Sequence, residues 1–453
     1  PDAVVGAYRR GSARVMAGRV TDGGLLRPLL RLALPNIAAT LIQAAMSFIE
    51  AWRLGALGSV SLAAVALVFP LFVLSNMWSA GAIGGAVSGA AARARGAGDR
   101  VRAAAVLRAA VVIGCVGGVV VGGLVVSLAV PMFTLAGGQG AVLRDAVAYG
   151  QTLFAGIVII WLFNMTAAVS RGSGDMRTPF IAIVLAAVTY WVTSAPLIDG
   201  FGTVGSAMAL LVGFGGGLAV MVAAILFGFT PVPLVWGGVP WAVIGPILRN
   251  GLLAASQSVA TILAAMLATA YVARLGDAAL AGYGIGVRLE LLLVPVVFGI
   301  GGAAIAVTGA HVGGGRRALA IRGAWLAAFM AAALVGAIGV LTALWPELWR
   351  GWFTDIPAVA AVTDHYLRVV GPFYGFFGLG LCLYFASQGL NTLFWPVFGT
   401  FLRLAVVAAG VGALSLQGAP NLSHLLMVVA AGILTYGGVI AAGLHWRAWR
   451  RPS

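Results

Sequence analysis

The chain has 453 residues, of which 61% are hydrophobic and only 9% charged, and its mean hydropathy is +1.05. No soluble core needs so much apolar surface, so the composition excludes an ordinary globular enzyme and implies a multi-span integral membrane protein. The net charge is +15 with no lysine anywhere, so every basic residue is arginine.

Breaking the sequence at runs of about 20 apolar residues gives about twelve spans, near 29–54, 62–91, 104–133, 146–169, 179–198, 204–228, 244–273, 279–311, 321–345, 358–386, 394–416 and 423–446. With both termini cytoplasmic, about 20 of the 27 basic residues fall on the inner side. They include Arg9, Arg10, Arg14, Arg19, Arg93, Arg95, Arg171, Arg177, Arg316, Arg317 and Arg451, against Arg53, Arg144, Arg274 and Arg350 outside. This is the positive-inside pattern, so the charge reports topology in a lipid bilayer rather than a nucleic-acid partner. The first apolar run is too long for a cleavable signal peptide and lacks a small-residue cleavage site.

In the first span, Glu50 is the sole acid between Leu29 and Leu54. An ionised carboxylate in hydrocarbon costs several kcal/mol, so its retention asks for a reason. Asn36, Thr40, Gln43, Ser47 and Glu50 follow i, i+4, i+7, i+11, i+14, which places them on one helical face behind Pro35. Such a stripe faces the bundle interior or a water-filled cavity, where it either joins helices or lines a pathway. Glu50 also has a plainer reading as an interfacial partner of Arg53.

Farther along, Asp175 lies in an inner loop beside Arg171 and Arg177 and reads as turn structure. The Pro- and Gly-rich stretch 229–246 reads as a cytoplasmic linker between an N-terminal lobe, 1–228, and a C-terminal lobe, 247–453. The seventh span repeats the polar stripe with Asn250, Gln257 and Thr261, but Ala268 stands where Glu50 stood. In the eighth span Glu290 and Arg288 are two residues apart and cannot face one another, so each needs a partner elsewhere. Arg403 is available to Glu290 as a structural ion pair, with a second protonation or substrate-cation site as the alternative. Asp364 and Arg368, at i,i+4, read as a local outer pair. Tyr271, Tyr283, Tyr374 and Trp191 are candidate cavity aromatics, since rings offer π faces and apolar walls. Together with the α-helical stripes, this makes Asn36, Thr40, Gln43, Ser47, Gln257, Thr261, Tyr283, Arg288 and Glu290 the candidate cavity lining.

Three pairs of segments repeat at an offset of about 217 or 218 residues: "LGSVSLAA" (57–64) with "LGDAALAG" (275–282), "IGGAVSGAAARARGAGDR" (83–100) with "IGGAAIAVTGAHVGGGRR" (300–317), and "RGSGDMRTPF" (171–180) with "QGLNTLFWPV" (388–397). A constant offset implies two similar six-helix lobes. An even number of crossings per lobe makes them parallel repeats about an axis normal to the membrane. The fold expected is therefore all-α, about twelve transmembrane helices in two pseudo-symmetric lobes.

Several chemistries are excluded. A phosphate-binding loop needs a lysine that the chain lacks. The twelve acids are scattered, and His311, His365, His424 and His445 lie far apart, so no metal ligand set or enzyme centre is in view. Cys115 and Cys382 stand alone in separate spans. No cofactor is expected.

"LALPNIAATLIQ", "LGSVSLAAVALVFPL", "ARARGAGDR", "RGSGDMRTP" and "ARLGDAALAGYGIGVRLELLLVP" resemble the multidrug and toxic compound extrusion (MATE) family over nearly the whole chain, and "VRLE" resembles its DinF-like prokaryotic branch. The resemblance implies a secondary efflux transporter of the bacterial inner membrane, monomeric, exchanging protons or sodium for small organic, often cationic, compounds. It also implies that Glu50, at the family's first-helix carboxylate position, binds the coupling cation. The branch usually carries an Asn and an Asp in the fifth span, but this sequence reads "TYWVTSAPLI", with Trp191 and Ala195 there. Sodium wants several oxygen ligands and a proton needs one carboxylate, so protons are favoured over sodium. A lipid-linked oligosaccharide flippase or specialised metabolite exporter of the same architecture is the alternative.

Overall fold

The computed structural model describes residues 24–232, 234–235, 237–416 and 421–450. Arg9, Arg10, Arg14, Arg19 and Arg451 lie outside the described residues, as do Pro233 and Trp236 of the linker. In lipid every backbone polar group must be satisfied within the chain, and these apolar runs do so as helices. Among the described residues, ten helices are long and apolar enough to cross a membrane.

Helix α1 (Leu26–Leu57) turns at Gly58 into α2 (Ser59–Asn76), which continues through a π-helical turn, Met77–Ala82, into α3 (Ile83–Gly96). Helix α4 (Arg100–Leu135) starts at an Asp99 cap, whose carboxylate accepts from the Arg102 amide at 2.8 Å. Next come α5 (Gly140–Ala155) and α6 (Ile157–Gly172), bent by 45° into one crossing. Helix α7 (Arg177–Leu226) is nominally 50 residues long, about 75 Å at 1.5 Å per residue and far beyond the ~30 Å hydrocarbon core. It is in fact a hairpin. Gly202, at φ 58 and ψ −134, reverses the chain, and Gly213 and Gly217 pack back against the carbonyls of Ala186 and Ala182. Counting the bent pair as one crossing and α7 as two gives twelve.

Residues 227–240 connect to the second lobe, so 241–246 belong to α8 (Trp241–Ala273) rather than to the linker. Arg108 anchors this segment by donating to the Val235 carbonyl at 2.7 Å. There follow α9 (Asp277–Gly313), α10 (Arg317–Leu344), a single surface turn α11 (Glu347–Arg350), and α12 (Pro357–Val370), which passes through Gly371–Phe373 into α13 (Tyr374–Leu390). Helices α14 (Phe394–Leu416) and α15 (Leu422–Arg450) complete the chain.

Each lobe has its own core. One is built around Trp161, Phe154, Tyr190 and Phe214, the other around Tyr366, Tyr374, Leu383 and Ile433. Helix α1 is divided between them: Leu29, Leu32 and Ala33 pack in the second core, while Met46 and Leu54 pack in the first. The short connections at 97–99, 173–176, 314–316 and 391–393 and the 227–240 segment share one face of the bundle, here the arginine face. On that side the lobes are joined. Arg93 donates to the Gln388 and Gly389 carbonyls at 2.9 and 3.0 Å, and α3 and α9 cross so closely that a methyl at Gly309 would sit 2.6 Å from the Ala92 side chain.

Candidate functional site

Between the lobes is a cavity of about 250 Å³. Asn36, Thr40, Gln43 and Ser47 form its α1 wall, so four members of the sequence stripe do share one surface. Pro295 interrupts α9 opposite them. Thr40 donates to the Pro295 carbonyl at 2.7 Å and Asn36 to the Gly299 carbonyl at 3.0 Å, so the stripe also joins the lobes. The other walls include Phe69, Phe72, Phe163, Phe298 and Phe385, with Asn76 and Asn164 between them and Ser88 and Arg171 at one end. Gln43 donates to Asn76 Oδ1 at 3.5 Å, and Asn164 donates to the same oxygen at 3.3 Å and to Ser79 Oγ at 2.9 Å.

Glu50 lies one turn beyond Ser47, behind the wall and 3% exposed. Its Oε1 accepts from the Tyr149 hydroxyl at 2.7 Å and from Ser206 Oγ at 2.8 Å. Tyr149 comes from α5, and Ser206 from the α7 limb that begins at the Gly202 reversal. The arrangement gives a buried carboxylate two charge-assisted hydrogen bonds, which is how such a group is tolerated in an apolar bundle. Arg53 takes no part: its guanidinium donates to the Trp191 carbonyl at 3.0 Å. On the first limb of α7 the buried residues at this level are Tyr190 and Ser194, both 0% exposed, whereas Trp191 is 57% exposed. The Tyr190 hydroxyl lies beside Ser206 and within electrostatic reach of Glu50. Among the described residues, the hydrogen-bond partners of Glu50 are the Tyr149 and Ser206 hydroxyls.

The expected second-lobe lining lies away from this cavity, because its polar groups are spent on one another. Gln257 donates to the Tyr436 hydroxyl at 2.9 Å, and Thr261 bonds back to the Gln257 carbonyl. Tyr283 packs edge-on against Tyr366 at 5.4 Å between centroids. Glu290 pairs with Arg403 at 3.6 Å, as the ion-pair reading expected, and Arg403 also lies over Tyr436. Arg288 is exposed and sits over the Phe353 ring at 5.7 Å. Of the expected cavity aromatics, Tyr271 hydrogen-bonds the Asn421 amide, Tyr374 is core, and Trp191 faces outward. Phenylalanines do the lining instead. Asp364 pairs with Arg350 at 2.7 Å rather than with Arg368, which corrects the i,i+4 expectation: the α11 turn brings a closer guanidinium. Asp175 is turn structure, accepting from the Arg177 and Thr178 amides and the Thr178 hydroxyl. Among the described residues there is no group of three or more potential metal ligands.

Tyr149, Ser206, Tyr190, Asn76 and Asn164 were not singled out from the sequence. The two asparagines carried a signal, being amides inside apolar spans. The tyrosines and serine carried none, since such residues in spans are ordinary packing.

A family model, MatE, matches residues 35–195 and 254–414, one copy in each lobe. A probable multidrug resistance protein NorM from Thermotoga maritima is 24% identical over 390 residues, 83% of each chain. A FAD transporter from Shewanella oneidensis is 23% identical over 402 residues, 83% of this chain and 84% of its own. A crystal structure of MATE in the bent conformation superposes with a TM-score of 0.85 at 22% identity, covering 94% of this chain and 95% of that one. With the family's pattern met twice, over most of both lobes, the chain belongs to the MATE family of membrane transporters, and it is not an enzyme.

Proposed function

We propose that this transporter exports small organic compounds across a bacterial cytoplasmic membrane, with its arginine face inward, in exchange for protons carried by Glu50. The single observation that carries the reading is the buried Glu50 carboxylate, one turn from the cavity stripe and clamped by hydroxyls from two other helices. Both hydroxyls donate to the ionised group. Protonation at the other oxygen adds a donor there and leaves Oε1 accepting neutral rather than charge-assisted hydrogen bonds, so the hold of α5 and of the second limb of α7 on α1 weakens. The lobes meet on the arginine half, at Asn36, Thr40 and Arg93, so access in this state is from the opposite side. Alternating access then requires those contacts to part.

Proton rather than sodium coupling is supported by the donor set. Among the described residues the hydrogen-bond partners of the Glu50 carboxylate are two hydroxyls, a set that suits a proton better than a sodium shell. The aromatic, mostly apolar walls suit flat organic compounds. Among relatives, NorM is a probable multidrug resistance protein and the Shewanella protein a FAD transporter, so both broad export and export of one metabolite suit the family. The test is export driven by a pH gradient in reconstituted vesicles, wild type against Glu50→Gln.

A further inference from the structure

Resting on that transport reading, we infer that the cavity selects an aromatic compound bearing an oxyanion, a carboxylate or a phosphate, with Arg171 as the residue that binds the charge. Among the described residues that line the cavity Arg171 is the sole ionisable group; no aspartate or glutamate borders it. It stands in the last turn of α6, at the arginine end of the cavity and only partly exposed. No side-chain hydrogen bond or ion pair engages its guanidinium among the described residues. The nearest acid in sequence, Asp175, is spent on the Arg177 amide and on the Thr178 amide and hydroxyl. Glu50, the acid one would expect to attract a cation, is behind the wall with its Oε1 already accepting two hydrogen bonds.

A second group points the same way. Ser88 lines the same end of the cavity, is 3% exposed, and its hydroxyl has no hydrogen-bond partner among the described residues. A buried hydroxyl left without a partner is costly, and a ligand acceptor would satisfy it. A guanidinium fork with a neighbouring hydroxyl suits a planar carboxylate or a phosphate, while the phenylalanine walls suit the ring. A cation entering this space meets one like charge and no compensating one. The cavity therefore departs from the cationic preference that the resemblance implies.

The experiment uses three ligands of matched ring size, 1-naphthoate, 1-naphthyl phosphate and N-methylquinolinium, titrated calorimetrically into the purified full-length protein. The expected result is that at least one anion binds the wild type tenfold or more tighter than N-methylquinolinium. Arg171→Gln removes that preference, Arg171→Lys keeps part of it, and Ser88→Ala weakens the anions without changing the cation. The melting temperature of each variant reports folding, and the wild-type comparison stands without them. The phosphate and carboxylate arms tell the two oxyanions apart. The inference is overturned if N-methylquinolinium binds the wild type as tightly as the tighter-binding anion, if neither anion binds, or if folded Arg171→Gln keeps the preference. Vesicle export separates this from the broader reading. Proton-driven export of the cation that depends on Glu50 would sink the anion inference and leave the transporter reading standing, whereas a folded protein that moves none of the three would sink both.

Discussion

Replacing Glu50 with glutamine separates the proposed proton coupling from the residue's structural part. Glutamine has the shape of the protonated acid and keeps a carbonyl that can accept from Tyr149 and Ser206. Each charge-assisted bond becomes a neutral one, at a loss of about 1 kcal/mol apiece. Against that, a charge no longer has to be held out of water, which offsets several kcal/mol. The fold should therefore survive with little change in melting temperature. Coupling should not survive. A gradient of two pH units is worth about 2.7 kcal/mol per proton, enough for roughly 100-fold substrate accumulation at one proton per substrate. Wild-type vesicles should approach that figure with a 1-naphthoate-type probe or a fluorescent organic substrate. Glu50→Gln should only equilibrate it, to about one-fold, while still binding it. Glu50→Asp should retain part of the coupling. Should folded Glu50→Gln accumulate substrate as the wild type does, Glu50 is structural and the proton travels elsewhere.

Three further changes follow from the geometry. Gly202 has open space around an added methyl, so Gly202→Ala tests conformation alone; an L-residue at φ 58, ψ −134 is strained by about 1–3 kcal/mol, which should lower the melting temperature and, through Ser206 four residues on, slow export. Gly309→Val should drive α9 away from Ala92 and disfavour the closed arginine face, read as faster labelling of a cysteine placed at position 385 from that side; unchanged labelling refutes it. Arg403→Met should leave Glu290 unpaired and cost about 3 kcal/mol, with Glu290→Gln/Arg403→Met recovering much of it, because removing one partner of a buried pair costs more than removing both. A double mutant as unstable as the sum of the singles would show the pair to be energetically independent.

Most of the fold was legible because the bilayer writes it into the sequence: apolar runs of spanning length, arginines gathered on one face, and a repeat offset matched in both lobes. The α1 stripe was legible for the same reason, since amides and hydroxyls on one face of a lipid-flanked helix must meet polar partners, and four of them line the cavity. The second-lobe stripe looked equivalent by periodicity and is not. Periodicity fixes which face of a helix a residue occupies, not what stands opposite, and there Tyr436 takes up the Gln257 amide and Arg403 the Glu290 carboxylate. The partners of Glu50 were unreadable for a related reason. Tyr149 is 99 residues away in sequence and Ser206 is 156, and only the Gly202 reversal folds the second α7 limb back against the first and brings its serine to the carboxylate. Setting the apolar run against the thickness of the membrane had already separated the spans 179–198 and 204–228, but that comparison does not say which side chain of the second meets the carboxylate. The reversal decides the site: a straight α7 would carry Ser206 out of the bilayer and leave Glu50 with a single hydroxyl. The clamp on the Glu50 carboxylate thus depends on a backbone angle 152 residues downstream, which is why Gly202→Ala should disturb export even though nothing touches the added methyl.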